Sequence, residues 1–119
     1  MRLELIPLPV TDVDRALEFY RDQVGFRLDH DVSPGDGVRV VQLTPPGSSC
    51  SISFGTGMTR PDAPRVHGMH LVVDDIAAVR AELVGRGVQV TAPVDVGGVH
   101  YAQFADPDGN TYALQQIDR

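Results

Sequence analysis

His67-Gly68-Met69-His70 is the segment whose residue types come nearest to metal chemistry. Two imidazoles close together can share a zinc ion. The surrounding residues read as a strand, and in a strand positions i and i+3 project to opposite faces. Joint coordination would therefore need a bulge, and a pocket-lining or hydrogen-bonded imidazole is the favoured reading. Whether His67, His70 or His100 can hold a metal stays open at this level. His70 and Tyr101 are the candidates for acid–base chemistry, because histidine titrates near neutral pH without much help. No second carboxylate falls opposite them, which weakens schemes built on an opposed acid and base. Cys50 is the only cysteine, so no internal disulfide forms, and it reads as a small buried apolar residue.

These residues are positioned by a duplicated plan. Val10-Thr11-Asp12-Val13 followed by Arg15 to Tyr20 returns as Val73-Asp74-Asp75-Ile76 followed by Ala78 to Leu83. Each copy reads as strand, turn, helix, glycine and three more strands, which predicts two βαβββ modules of an α+β fold. The modules are 1–57 and 67–119, joined by a linker at 58–66 that carries Pro61 and Pro64. Asp12 and Asp75 are placed to cap the helices. Strands are predicted at Leu3–Val10, Phe26–Val32, Val38–Thr44, Cys50–Phe54, Met69–Val73, Val88–Ala92, Val99–Ala105 and Thr111–Ile117. Ser33 to Gly37 and Asp106-Pro107-Asp108-Gly109-Asn110 read as turns. Pro7 and Pro9 remove donors from one side of the first strand, which places it at an edge or seam. One module leaves a sheet face bare, so two halves curving together as an open mixed sheet can enclose a pocket, either within one chain or by a swap between two.

With a length of 119 residues the chain can build a core without disulfide or metal staples. A net charge of -6 argues against nucleic acid, which needs a basic footprint, and suits a cationic or neutral ligand. No apolar run has the length of a membrane span or a signal peptide, so a soluble, cytoplasmic protein without a membrane partner is expected.

This arrangement resembles the vicinal oxygen chelate superfamily, which includes glyoxalase I, bleomycin-resistance proteins and extradiol dioxygenases. The resemblance rests on Val10-Thr11-Asp12 through Phe19-Tyr20, Gly25-Phe26, Val73 to Ile76, and Phe104 to Asn110. Thr44-Pro45-Pro46-Gly47-Ser48 with Ser51 to Gly55 looks like a branch of small glyoxalase-like proteins. Metal-dependent members carry His or Glu seven residues before each capping Asp and four after the Gly of the Asp-Pro-Asp-Gly turn. Those positions are Leu5, Gly68 and Ala113 here, with a first-module counterpart at Ser51 or Ser53. None is a usual divalent-metal ligand, so no metal cofactor is expected. Drug-sequestering members also lack the ligand set, and they work as homodimers whose ligand lies in a groove shared by two chains.

Strand alternation assigns the inner faces. Leu5, Pro7, Ser51 and Ser53 point inward from the first module. His70, Val72, Thr111, Ala113 and Gln115 do so from the second. Gln42 and Gln103 match each other in the repeat, with Tyr101 beyond, and such a pair could hold a planar ligand. The opposite faces carry almost only apolar residues, as the surface beneath helices must. Two candidate functions result. One is a metal-free pocket binding a small organic molecule, such as a drug or natural product that is sequestered. The other is a lyase or isomerase of the glyoxalase type, metal-free through His70 and Tyr101 or metal-dependent through a non-standard ligand set. Whether the chain is an enzyme is left open.

Overall fold

The two halves build two four-stranded sheets of the same topology, as the repeat requires. A computed structural model describes residues 1–118. In chain order it has β1 (Leu5–Pro7), α1 (Val13–Glu18) with a π-helical continuation (Phe19–Val24), β2 (Arg27–Gly35), β3 (Val38–Thr44) and β4 (Ser51–Thr56). The second half has β5 (Met69–Val72), α2 (Ile76–Gly85), β6 (Val94–Val96), β7 (Val99–Ala105) and β8 (Thr111–Ile117). The sheets run β1-β4-β3-β2 and β5-β8-β7-β6. Each is mixed: β1 pairs with β4 and β5 with β8 in parallel, and the remaining pairs are antiparallel. The fold is the α+β pair of βαβββ modules read from the sequence, and no barrel closes among the described residues.

Local chemistry explains the element ends. Asp12 and Asp75, both in extended backbone, accept the amide N–H of Arg15 and Ala78 at 3.1 Å each and so start the helices. Gly25 stops the first helix at φ 88°, where a side chain would be strained. The Tyr20 carbonyl accepts both Gly25 N–H and Phe26 N–H there. As expected from its prolines, β1 is an edge strand.

Two predicted boundaries are corrected. β2 runs on through Ser33 and Pro34 to Gly35, where a turn was expected. It is the other edge of its sheet, so the N–H that Pro34 lacks need not be paired. Val88–Ala92 is not a strand, and the strand lies instead at Val94–Val96. Arg80 takes the carbonyls of Val90 and Thr91, and the Thr91 hydroxyl takes the Gln103 N–H, so side chains replace most of the ladder there.

The helix-side faces meet in one core. Leu8, Val10, Ile52, Phe54, Tyr112 and Leu114 are buried in it, with Ile6, Met69, Leu71 and Val73 packed around them. The modules are joined near the pseudo-twofold axis by residues one repeat apart. Gln23 Nε2 donates to the Arg86 carbonyl at 3.1 Å, and Arg86 Nη1 donates to the Gln23 carbonyl at 3.0 Å.

A second, stronger tie comes from the Asp106–Asn110 turn. Asp106 Oδ1 accepts the backbone N–H of Asp108 and Asn110, both at 2.9 Å. Its Oδ2 accepts the Tyr20 hydroxyl at 2.7 Å and Asn110 Nδ2 at 2.8 Å. Tyr112 hydroxyl donates to Tyr20 hydroxyl at 2.9 Å. Asn110 also holds the Pro9 carbonyl and the Val66 N–H, and Asp108 holds Thr11 through its N–H and hydroxyl. The turn of module two is thereby fastened to the β1–α1 connection of module one. Burial pushes both tyrosine hydroxyls well above their ordinary pKa, so they stay neutral donors.

Tyr20→Phe leaves the Tyr112 hydroxyl without its acceptor and Asp106 with one donor fewer. It is expected to cost about 1–3 kcal/mol in chemical denaturation. Asn110→Ala removes three side-chain bonds, to Pro9 across the seam, to the Val66 N–H and to Asp106, and is expected to cost more than Tyr20→Phe in the same measurement.

Candidate functional site

The faces turned away from the core carry the candidate residues. In module one, Leu5 and Pro7 lie opposite Ser51 and Ser53, and Gln42 lies opposite Ser53. In module two, His70 and Val72 lie opposite Ala113 and Gln115, which in turn face Gln103 and Tyr101 on β7. Thr111 continues that face beyond Ala113. The same register settles the first-module counterpart of Ala113. Pro7 and His70 are repeat equivalents, and their partners are Ser53 and Ala113.

Most of the exposed large apolar side chains that lie in strands are on these concave faces. Leu5 is 37% exposed, Val32 50%, Val72 60%, Val94 57% and Val96 62%. Val94 and Val96 belong here because they oppose Tyr101 and Val99. Ser51, Ser53 and Ala113 lie deeper and are buried. The Ser53 hydroxyl has no hydrogen-bond partner among the described residues.

Within one chain the two concave faces do not close on a single pocket. Module one has a cleft of about 600 Å³ bordered by Gln42, Thr44, Ser51, Glu4 and the Arg27–His30 segment. Module two has one of about 1370 Å³ bordered by His70, Tyr101, Gln103, Thr111 and Ala113, and by Phe19, Gln23, Arg80 and the Gly87–Thr91 segment. Gln42 and Gln103 are thus equivalent in register and border separate clefts. The sequence left open whether the modules close on a pocket within one chain or between two, and within one chain they form two open clefts.

The seam between modules is asymmetric. The Asp106–Asn110 turn locks onto Pro9–Thr11. Its counterpart, the Pro45–Ser48 turn, has no carboxylate or amide to offer the equivalent Val72–Asp74 stretch. There an apolar crevice of about 520 Å³ remains, bordered by Pro45, Pro46, Leu71, Val73, Phe26 and Leu83.

His70 is the best-defined chemical group on the second face. Its Nδ1 lies 2.7 Å from the Gly68 carbonyl, an acceptor, so Nδ1 carries the proton and Nε2 keeps a free lone pair. The ring stands at 85° to that of Tyr101, with centroids 6.1 Å apart. Tyr101 hydroxyl accepts Gln115 Nε2 at 3.3 Å. His67 Nδ1 lies instead 3.3 Å from the Thr111 hydroxyl, which also accepts the Gly68 N–H. His100 lies on the face of β7 opposite to Tyr101. It pairs with Asp118 at 2.9 Å, and that bond raises its pKa.

The positions where metal-dependent relatives hold their ligands are Leu5, Gly68, Ser53 and Ala113. An isobutyl group, a glycine, a buried hydroxyl and a methyl group do not fit a divalent cation. Among the described residues no three His, Cys, Asp or Glu side chains converge. No step of chemistry is therefore drawn through a metal.

Asp29, His30 and Thr44 border the first cleft and were not read as site residues from the sequence. The signal was present: the apolar alternation of Phe26 and Leu28 breaks at His30. That break marks a bulge, since Leu28 opposes Leu43 while His30 opposes Gln42.

Comparison with known proteins agrees with this geometry. The structure of TnmS3, an antibiotic binding protein from Streptomyces sp. CB03234, superposes with TM-score 0.85 at 34% identity, covering 99% of this chain and 97% of that one. A glyoxalase/bleomycin resistance protein from the same organism gives TM-score 0.81 at 35% identity, covering 97% and 100%. "Putative glyoxylase CFP32" of Mycobacterium tuberculosis is 29% identical over 117 residues, covering 96% of this chain and 45% of the relative. The chain thus spans about half the length of the curated relatives it matches. No helix among the described residues is long and apolar enough to cross a membrane. The family model for the Glyoxalase/Bleomycin resistance protein/Dioxygenase superfamily matches residues 2–114, and the chain belongs to that superfamily.

Proposed function

We propose that this chain binds a small organic molecule on its concave sheet faces, without a metal, in a groove completed by a second copy of itself. The observation that carries this reading is the placement of exposed apolar side chains. Leu5, Val32, Val72, Val94 and Val96 are exposed on the two concave faces, beside uncharged polar groups such as Gln42, Gln103 and Tyr101. Apolar walls with a few fixed polar groups are the usual make-up of a ligand site, and exposed apolar patches mark surfaces that something covers. The similarity to TnmS3 supports sequestration of a natural product as the purpose of such binding.

A homodimer follows from the same open faces. Each cleft is lined from one module or mainly so, and a facing module from a second copy would turn it into a groove. The enzymatic alternative is a lyase or isomerase of the glyoxalase type. It is favoured by one observation, the anchored tautomer of His70 with Nε2 free beside Tyr101. In that case His70 would take a proton from a bound substrate, and Tyr101 would hydrogen-bond the developing oxyanion.

Thermal unfolding with one equivalent of Zn²⁺, Ni²⁺, Mn²⁺ or Fe²⁺ is expected to leave the Tm unchanged. One metal per purified chain, lost on His70→Ala, would contradict the metal-free reading and make metal-dependent chemistry the leading idea. Sedimentation across a concentration series is expected to show a dimer, weakened at least tenfold by Val72→Glu, since burying an unpaired carboxylate costs about 2–3 kcal/mol or more. A monomer at every concentration would contradict the shared groove.

A further inference from the structure

The cleft of module one owes its chemistry to the register break in β2. Asp29 is the extra residue between Leu28, opposite Leu43, and His30, opposite Gln42. The bulge lets Asp29 and His30, neighbours in sequence, border the same cleft, which regular alternation forbids. The Asp29 side chain is 16% exposed. Its Oδ2 accepts the Thr44 hydroxyl, and Gln42 Nε2 at 3.5 Å. Its Oδ1 accepts Arg27 Nε at 3.2 Å.

The direction of each bond decides what the cleft can recognise. Thr44 has one hydroxyl proton, and it goes to Asp29. In the 2.7 Å contact between the hydroxyls of Thr44 and Ser51, Ser51 must then be the donor. Ser51 keeps only lone pairs for a ligand. Gln42, donating through Nε2, keeps its Oε1 as an acceptor. Glu4 adds a second carboxylate to the border. Asp29, Glu4, Ser51 and Gln42 Oε1 thus present acceptors in this cleft, and the second Nε2 hydrogen of Gln42 is a remaining donor beside them. The cation that reaches Asp29 is Arg27, whose side chain is 68% exposed and which holds the carboxylate by one bond. The bond from Thr44, with smaller help from Arg27 and Gln42, keeps the Asp29 carboxyl below the usual carboxylate range.

We propose that Asp29, Gln42 and Ser51 form a subsite for a protonated amine, whose ammonium group replaces Arg27 on Asp29 Oδ1. This rests on the reading that the concave faces bind a small molecule, and it adds the charge and donor pattern of that molecule. Arg27 fills the place of the ligand's cation until the ligand arrives.

The test uses three probes of one shape: 2-naphthylmethylamine, which is protonated at pH 7, 2-naphthylmethanol and 2-naphthoate. Each is titrated into the isotope-labelled full chain and followed by protein-observed NMR. The amine is expected to bind about tenfold more tightly than the alcohol, as a charge-assisted bond should allow. Asp29→Asn keeps an acceptor for Thr44, so the fold stays intact. It is expected to bring the amine to within about twofold of the alcohol and leave the alcohol unchanged. Arg27→Ala is expected to tighten the amine alone, an effect a purely structural Asp29 would not give. If amine and alcohol bind alike and Asp29→Asn alters neither, the amine subsite is overturned while concave-face binding stands. If none of the probes shifts a concave-face resonance, the binding reading itself is overturned along with it.

Discussion

The structure depends on one buried carboxylate. Asp106 is 5% exposed and accepts four hydrogen bonds, from the backbone N–H groups of Asp108 and Asn110, from the Asn110 side-chain amide and from the Tyr20 hydroxyl of the other module. A carboxylate out of water needs such donors, because an unpaired one would be too costly to bury. Satisfying it forces Tyr20 into the core, which the widened turn of the Phe19–Val24 segment permits. The tyrosine ring then meets Phe19, Phe26, Phe54 and Tyr112. The aromatic centre that both modules share is therefore organised around a polar group rather than despite one.

This tie breaks the symmetry that the duplication would otherwise impose. One seam is held by Asp106, Asp108 and Asn110. The equivalent seam has Pro45, Pro46 and Gly47 instead and stays open as an apolar crevice. Near the pseudo-twofold axis, Gln23 and Arg86 exchange bonds at repeat-equivalent positions. Joined in this way, the modules turn their concave faces into separate clefts. The chemistry of the two clefts also differs. Module one offers hydroxyls, an amide and carboxylates. Module two offers His70, Tyr101, Gln103 and the exposed Val84.

Much of this was legible in the sequence because the relevant signals are local. The Asp12 and Asp75 caps, the Gly25 stop and the Asp-Pro-Asp-Gly-Asn turn each have one favoured conformation, and the repeat supplied topology. Alternation placed Leu5, Pro7, Gln42, Val72, Tyr101 and Gln103 on the faces where they are found. The failures were non-local. β2 extends through Pro34 because the strand is an edge, which depends on sheet order. Val88–Ala92 lost its ladder to Arg80 and the Thr91 side chain, across the sheet from helix to loop. The separation of the two clefts depends on how whole modules pack. Asp29 was missed because a one-residue bulge after Leu28 reverses the facing of the residues that follow it, a slip signalled only by the polar His30 in an apolar alternation.

The central claim is that the concave faces are the binding surface. Methyl-resolved NMR of the full chain against a library of antibiotic-sized aromatic molecules tests it most directly. The account predicts that hits shift the methyl groups of Leu5, Val32, Val94 and Val96 and leave those of Val24 and Leu83 in the seam crevice in place. Hits that shift only Val24 and Leu83 would contradict it and move the binding site to the open seam.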